Sequence, residues 1–203
     1  MDRQDVFHTA RLAGQVTRYH TWCMHQHQSV GEHTWQVMRI FLQVFGCLPS
    51  KVAEYLIWHD AGELVTGDVP FPLKMLNPGL KQHMDQLEHA AVEAMGGEHI
   101  WLNHEDAVRV KACECVEMHE HGRVEYLMGN KFAKPIMDDT WTAFLELPLS
   151  VDDFDKFALY IEKCWPALRG LEVHYDVGSR SKEHQLRIRE GVDASGNKWE
   201  LGD

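Results

Sequence analysis

Apolar residues recur every three or four positions along most of the chain, which is the periodicity of helices that bury one face. The first clear helix follows Ser29, which with Glu32 forms the Ser-x-x-Glu pattern of a capping box. Its apolar positions extend from Trp35 to Phe45, and Gly46 predicts its end. This stretch therefore predicts an amphipathic helix with defined boundaries.

A second helix is predicted to begin at Pro49-Ser50 and to continue into residues 55–72, YLIWHDAGELVTGDVPFP. Most of this segment has an apolar helical pattern, and we expect its ionisable residues His59, Asp60 and Glu63 to lie within the helix. A glycine and two prolines near its end break the backbone hydrogen-bond pattern, so the helix must stop before Asp68. An apolar segment that carries four ionisable groups is a candidate for chemistry.

Three more helices are predicted, from Asn77-Pro78 to Gly96-Gly97, from Asn103 or Asp106 to Gly129-Asn130, and after Ser150. From about residue 170 the pattern changes, and the segments around 193–197 are consistent with a small β-hairpin. We therefore predict one all-α domain, residues 1–169, followed by a C-terminal appendage, residues 170–203.

Charge and cysteine content narrow the classes of function. The net charge of −11 argues against a nucleic-acid polymer as partner, because such a partner needs a basic surface. Five irregularly spaced cysteines, without a signal peptide before them, predict reduced thiols and a cytoplasmic location. No apolar run reaches the roughly 18 residues of a membrane helix, so no membrane association is expected.

His59 and Asp60 combine the imidazole and carboxylate groups that bind divalent transition metals. Neighbouring side chains on a helix point about 100° apart, so both can bind one ion only from a bend or a crowded helix face. Glu63 is four residues beyond His59 and would share its face. Further ligands are expected from His33 and from an acidic residue on the fourth helix. The alternative interpretation is a buried, hydrogen-bonded His-Asp pair.

The order of these motifs resembles the HD-domain phosphohydrolases, and most of all the bacterial 5'-deoxynucleotidase branch and its phage relatives that hydrolyse deoxynucleoside triphosphates. The resemblance covers residues 18–130 and rests on Arg18, Gln28-Ser-Val-Gly-Glu-His33, His59-Asp60 and Thr66-Gly-Asp-Val-Pro70. It implies an HD-domain helical bundle. It also implies one divalent metal ion (Co, Mn, Zn, Mg or Fe), bound by His33, His59, Asp60 and a distal carboxylate.

The distal carboxylate departs from the family pattern. The family motif Val-Lys-x-x-Asp reads Val110-Lys-Ala-Cys-Glu114 here, so Glu114 is the fourth ligand that the resemblance implies. Glu117 lies one turn further along and is an alternative, and Asp138 and Asp139 are more remote ones.

The resemblance also implies roles for other residues. Glu63 would orient or deprotonate the attacking water, and Asp68 would protonate the leaving oxygen or order the water. The guanidinium fork of Arg18 suits a substrate phosphate, and Lys74 is a second candidate for that contact. Tyr19 would either stack on a nucleobase or pack in the core. Without the family motifs, Glu63 would be interpreted as a solvated charge and Asp68 as a turn residue.

The leading hypothesis is a metal-dependent phosphohydrolase of deoxynucleotides. Its substrate is either a 5'-deoxynucleoside monophosphate, releasing phosphate, or a dNTP, releasing tripolyphosphate. The few candidate cations, Arg18, Lys74, Lys81 and Arg39, favour the monophosphate. Two alternatives on the same fold are a di-iron oxygenase, suggested by additional histidines such as His119 and His121, and a non-catalytic nucleotide sensor. The resemblance further implies a homo-oligomer.

Overall fold

The computed structural model describes residues 9–69 and 77–164, and helices dominate both parts. The helices are α1 (Val30–Phe45), α2 (Ser50–Trp58), α3 (Glu63–Thr66), α4 (Pro78–Ala94), α5 (His104–Leu127), a 3₁₀ turn (Lys131–Ala133), α6 (Lys134–Glu146) and α7 (Val151–Cys164). Residues 9–13 are also helical. The predicted all-α fold is confirmed, whereas Lys74 and the predicted C-terminal hairpin lie outside the described residues.

The 24-residue helix α5 is the centre of the bundle, and α1, α6 and α7 surround it. Their inward faces, together with that of α2, form one apolar core, whose largest fully buried members include Phe41, Ile40, Leu56, Phe144 and Phe157. Gly122 of α5 lies against α6, and an added Cβ there would come within 3.1 Å of the Met137 side chain. The glycine thus permits close packing of these two helices.

The helix ends follow the predicted capping signals. At α1 both capping-box bonds are present, from the Glu32 amide to Ser29 Oγ (3.1 Å) and from the Ser29 amide to Glu32 Oε2 (2.7 Å). Gly46 ends α1 in the left-handed conformation, with φ of +76°. Asn103 caps α5 by accepting a hydrogen bond from the Asp106 amide. These ends fix where α1 and α5 present their polar side chains.

The helix predicted to continue through Glu63 is interrupted, which corrects the prediction from sequence. Helix α2 ends at Trp58, residues 59–62 form a turn, and Glu63 begins the separate short helix α3. The interruption coincides with a close approach of α4, because a Cβ on Gly62 would lie 2.5 Å from the backbone oxygen of Glu88. The chain therefore bends where His59 and Asp60 lie.

Several elements were not predicted from the sequence, including the helical residues 9–13 and the 3₁₀ turn. The larger ones are α6 and a two-stranded antiparallel ladder formed by β1 (Thr17–Arg18) and β2 (Gln28–Ser29). The ladder pairs Arg18 with Gln28 and leads directly into α1, so the chain before α1 lies beside its first turn. None of the helices in the described ranges is both long and apolar enough to cross a bilayer.

Candidate active site

Three predicted metal ligands converge at the bend between α2 and α3. His33 projects from the first turns of α1, His59 is the C-cap of α2, and Asp60 follows in the turn. Each offers one ligand atom, and the three atoms lie within 4.8 Å of one another. Because the chain bends here, the adjacent side chains of His59 and Asp60 can point towards one ion, whereas in a regular helix they would point about 100° apart.

The imidazole of His59 is held with one nitrogen directed into this cluster. Its Nδ1 lies 2.8 Å from the carbonyl oxygen of Leu56, which can only accept, so Nδ1 carries the proton and Nε2 keeps its lone pair. Nε2 is buried and has no hydrogen-bond partner among the described residues. A buried imidazole lone pair beside a carboxylate is the arrangement that a transition metal requires. The donor set therefore fits a divalent metal ion.

His33 is held by a carboxylate on the side away from Asp60. Its Nδ1 lies 2.5 Å from Oε2 of Glu117, while its Nε2 lies 3.8 Å from Oδ2 of Asp60. The other oxygen of Glu117 accepts a 2.5 Å hydrogen bond from Gln28 Nε2. Burial opposes ionisation of Glu117, but His33 and Arg18 hold its pKa below the ordinary value. Glu117, the alternative fourth ligand, thus contacts the outer nitrogen of His33 as a carboxylate.

Glu114 is the carboxylate of α5 that faces the cluster. Its Oε1 lies 3.8 Å from His59 Nε2, and its Oε2 accepts a 2.8 Å bond from Lys111 Nζ. Although burial would raise the pKa of Glu114, the charge and the hydrogen bond of Lys111 lower it, so the group is ionised. The remoter candidates Asp138 and Asp139 are exposed on α6.

Arg18 also reaches the cluster. Its Nη1 donates to Asp60 Oδ2 at 2.8 Å, and only 11% of its side chain is exposed. Burial opposes its charge, but Asp60 and other acidic neighbours, including Glu63, raise the pKa of Arg18 above its already high value. Its Nε is buried and has no hydrogen-bond partner in the described part of the chain. A permanent positive charge with a spare donor therefore lies beside the candidate metal ligands.

The two predicted catalytic carboxylates lie near the two ends of the short helix α3. Glu63 is the first residue of α3 and is only 5% exposed. It is therefore not a solvated surface charge, which was the alternative interpretation from the sequence. Asp68 follows the turn at Gly67, whose φ of +73° favours glycine. Its Oδ2 accepts a 2.9 Å bond from the Tyr19 amide. The turn thus brings Asp68 beside the residue that follows Arg18.

Tyr19 adopts a left-handed backbone conformation, with φ of +58°, and its ring stacks on His121 of α5. The centroids are 5.0 Å apart and the planes differ by 9°. Burial and Glu117 raise the pKa of Tyr19, so its hydroxyl stays protonated at neutral pH. Sequence reasoning missed His121 as a neighbour of Tyr19, and Gln28 and Lys111 as partners of the site. The sequence did contain a signal for these neighbours, because helical periodicity places Glu114, Glu117 and His121 on one face of α5.

An open cleft with a cavity volume of about 170 Å³ adjoins His59 between α2, α4 and the segment before α5. Its described lining includes Asp85, Glu88 and Glu98, and no lysine or arginine. Two other candidate cations are engaged elsewhere, since Lys81 pairs with Asp85 and Arg39 binds Glu120. At the cluster itself, Arg18 pairs with Asp60 and Lys111 pairs with Glu114.

Known proteins share this architecture. The fold is similar to that of an HD-domain phosphohydrolase from Listeria innocua (TM-score 0.62, 14% identity, 92% of this chain and 100% of that one). It is also similar to the cyanophage S-2L HD phosphohydrolase DatZ bound to dA and one catalytic Zn²⁺ ion (TM-score 0.59, 20% identity, 81% and 96%). The chain therefore has the HD-domain phosphohydrolase fold.

Sequence comparison narrows the class further. Residues 7–99 match the family model described as 5'-deoxynucleotidase YfbR-like. A 5'-deoxynucleotidase of Pasteurella multocida is 40% identical over 21% of this chain and 22% of its own length. A dATP triphosphohydrolase of Salmonella phage PMBT28 is 33% identical over 42% of this chain and 52% of its own length. The chain thus spans about half or less of these curated relatives. The predicted resemblance to the HD-domain phosphohydrolases and their 5'-deoxynucleotidase-like branch is confirmed.

Proposed function

We propose that this protein is a metal-dependent phosphohydrolase of deoxynucleotides and that it converts 5'-deoxynucleoside monophosphates into deoxynucleoside and phosphate. The observation that carries the proposal is the cluster of His33, His59 and Asp60, in which the buried Nε2 of His59 has no hydrogen-bond partner in the described ranges. A permanently charged arginine lies beside that cluster. A structural histidine would normally have both nitrogens satisfied.

His33, His59, Asp60 and Glu114 would hold the ion. When bound, a divalent metal polarises a phosphoryl oxygen and lowers the pKa of a water molecule. The chain prepares the two imidazoles for this role from the other side, because Leu56 and Glu117 each contact a Nδ1 and leave Nε2 directed inward.

Arg18 would bind the substrate phosphate. One of its five donors is used by Asp60, and its buried Nε has no partner in the described structure. A guanidinium presents these donors in one plane, which matches two phosphate oxygens. Lys74 remains a predicted second contact. Tyr19, next to Arg18, would face the nucleoside.

Glu63 and Asp68 would move the protons. We assign Glu63 to accept a proton from the attacking water, whose oxygen bonds to phosphorus while the bond to the 5' oxygen breaks. Asp68 would order that water or protonate the departing 5' oxygen. The hydrogen bond from the Tyr19 amide to Asp68 supports this assignment, because it holds the carboxylate beside the arginine that binds phosphate.

The charges around the site favour a monophosphate over a triphosphate. A tripolyphosphate leaving group needs several cations, whereas Arg39 and Lys81 have carboxylate partners and the cleft at His59 is acidic in its described lining. The second candidate, dNTP hydrolysis with release of tripolyphosphate, is favoured by the similarity to the phage dATP triphosphohydrolase. A homo-oligomer and a cytoplasmic location remain predictions from sequence.

The product profile tests the proposal. Metal-free protein would be supplied separately with Mn²⁺, Co²⁺, Zn²⁺, Mg²⁺ and Fe²⁺ and incubated with a panel of dNMPs, NMPs and dNTPs. We expect phosphate and deoxynucleoside from dNMPs. Tripolyphosphate from dNTPs would establish the second candidate. Nucleotide binding without any product would establish a sensor, and consumption of O₂ with two irons per chain would establish an oxygenase.

A further inference from the structure

The loop between β1 and β2, residues 19–27, is attached to one face of α5. Glu117, His121 and Glu125 follow one another at intervals of four residues, so they lie along one side of the helix. Glu117 accepts a hydrogen bond from Gln28 just after the loop, His121 stacks on Tyr19 at its start, and Glu125 contacts its second half. The first of these residues orients His33, whereas Glu125 has no part in the proposed chemistry.

Glu125 is a buried carboxylate whose oxygens both point at the loop. It is 0% exposed, and it accepts hydrogen bonds of 2.8 Å from the backbone amides of His25 and Gln26. Asn130 Nδ2 donates to the same carboxylate at 2.8 Å and to the carbonyl of Cys23 at 2.7 Å. Burying a carboxylate is costly unless its oxygens are hydrogen-bonded. Here that cost is offset by bonds that hold three loop residues in place.

Both ends of the loop carry groups of the candidate active site. At the start, the Tyr19 amide donates to Asp68, and the ring of Tyr19 lies flat against His121. At the end, Gln28 bonds to Glu117, the carboxylate that contacts His33. Tyr19 also has a left-handed backbone, a conformation that a non-glycine residue keeps only when its surroundings enforce it. The contacts of Tyr19 with Asp68 and His121, together with the bonds of the second half of the loop to Glu125, supply that enforcement.

We propose that Glu125 is a positioning residue for the nucleoside: by holding the β1–β2 loop on α5, it keeps Tyr19 stacked on His121 and in place to contact the substrate. The proposal rests on the proposed function, in which Tyr19 faces the deoxynucleoside. Gln28, which leads through Glu117 to His33, is held separately by its pairing with Arg18 in the β1–β2 ladder. Loss of Glu125 should therefore weaken substrate binding and leave metal binding unchanged.

The chain offers a matched control on the same helix. Glu120 is also hydrogen-bonded, to Arg39 and Tyr160, but these partners belong to α1 and α7 and not to the loop. In Glu125→Gln an amide NH₂ replaces one acceptor and faces a backbone N–H donor, so at least one loop contact is lost. In Glu120→Gln a comparable network is weakened without touching the loop. A difference between the two variants in the exchange of the loop amides therefore reports on the loop.

The experiment compares wild-type protein, Glu125→Gln and Glu120→Gln by three measurements. Hydrogen exchange should show faster exchange of the His25 and Gln26 amides in Glu125→Gln alone. For dNMP hydrolysis, KM should rise about tenfold in Glu125→Gln with kcat changed less than about threefold, whereas Glu120→Gln keeps the wild-type KM. Metal affinity should be equal in all three proteins.

Each result supports or overturns the inference. Unchanged exchange at His25 and Gln26 would show that Glu125 does not hold the loop, and this readout is independent of any activity. Faster exchange with an unchanged KM, or an equal rise of KM in both variants, would show a merely structural role. If the wild-type protein hydrolyses no dNMP, the proposed function fails, and with it the role of Glu125 in substrate binding, while the exchange result still decides whether Glu125 holds the loop.

Discussion

Oε2 of Glu117 lies 2.5 Å from Nδ1 of His33, and both side chains are almost fully buried. The contact determines which nitrogen of His33 carries the proton, because an ionised carboxylate can only accept. Nε2 is then left with its lone pair directed towards Asp60, 3.8 Å away. A residue that sequence reasoning considered as an alternative ligand thus controls the orientation of a neighbouring ligand.

We expect Glu117→Gln to weaken metal binding about tenfold or more, because a neutral amide holds the His33 ring less firmly and supports its basicity less. The affinity would be measured by competition with a chromophoric chelator. Glu120→Gln, which changes a glutamate one turn away that contacts Arg39 and Tyr160, should bind metal as the wild type does. Equal affinities for Glu117→Gln and wild type would remove this role from Glu117.

Glu114→Gln should also lower metal affinity, by on the order of tenfold, because the proposed fourth ligand would lose its charge. The same chelator competition measures this effect. Lys111→Met is the informative companion, since it removes the ion pair of Glu114 while leaving the carboxylate in place. Metal binding that survives in Glu114→Gln and falls in Lys111→Met would contradict the assignment.

Asp60 and Glu63 should separate metal binding from turnover. Asp60→Ala removes a proposed ligand and the partner of Arg18, so both metal binding and activity should be lost. Glu63→Gln keeps the size of a side chain that is only 5% exposed, and it should retain the metal while kcat falls about 10²- to 10⁴-fold. Metal content and steady-state kinetics on each variant check both statements. Turnover of Glu63→Gln near the wild-type rate would exclude Glu63 as the base.

Gly62 should tolerate no side chain. Its added Cβ would lie 2.5 Å from both the Cβ and the backbone oxygen of Glu88, so Gly62→Ala must displace α4. We expect a loss of about 1–3 kcal/mol in the free energy of unfolding, measured by urea denaturation. Gly79→Ala is the control, because its nearest contact would be 3.6 Å away and alanine favours the helix. Equal stability of Gly62→Ala and wild type would contradict the close packing of the bend against α4.

His119 should make stability depend on pH. Its ring is fully buried with Nδ1 donating to the Met137 carbonyl, and burial lowers the pKa of His119 from 6.5 to about 4. The unfolded chain therefore binds a proton that the folded chain does not, so stability present above pH 6.5 falls as the pH drops towards 4. This single group contributes on the order of 2–3 kcal/mol over that interval.

Urea denaturation with a chelator present would measure this dependence without a contribution from metal. His119→Asn keeps an N–H donor but does not titrate, so its stability should change less between pH 7 and pH 5 than that of the wild type. The same pH dependence in both proteins would show that His119 is protonated equally in the folded and unfolded states.

The sequence predicted the parts of the site that depend on local signals. The capping box at Ser29, the end of α1 at Gly46 and the convergence of His33, His59 and Asp60 are present in the structure. The break after Trp58 was missed because it coincides with the close approach of Glu88, which is distant in sequence. The contact of Glu117 with His33 and the attachment of the loop to Glu125 were missed for the same reason.

The type of side chain alone does not identify the fourth metal ligand. Glu114 and Glu117 are one turn apart on α5 and equally able to bind a metal by chemistry alone. Only the packing of α5 against α1 and α2 distinguishes them, since it places Oε1 of Glu114 near His59 and Glu117 behind His33. The family motif implied Glu114 as the fourth ligand, with Glu117, Asp138 and Asp139 as alternatives, and tertiary geometry favours Glu114.

The most direct test is a titration of metal into metal-free protein, with bound metal and phosphate release from a dNMP measured in the same samples. We predict that phosphate release is absent in chelator, rises with bound metal and saturates at one ion per chain. Asp60→Ala should release none at any metal concentration. Phosphate release in chelator, or no release from any dNMP with one metal bound, would contradict the account.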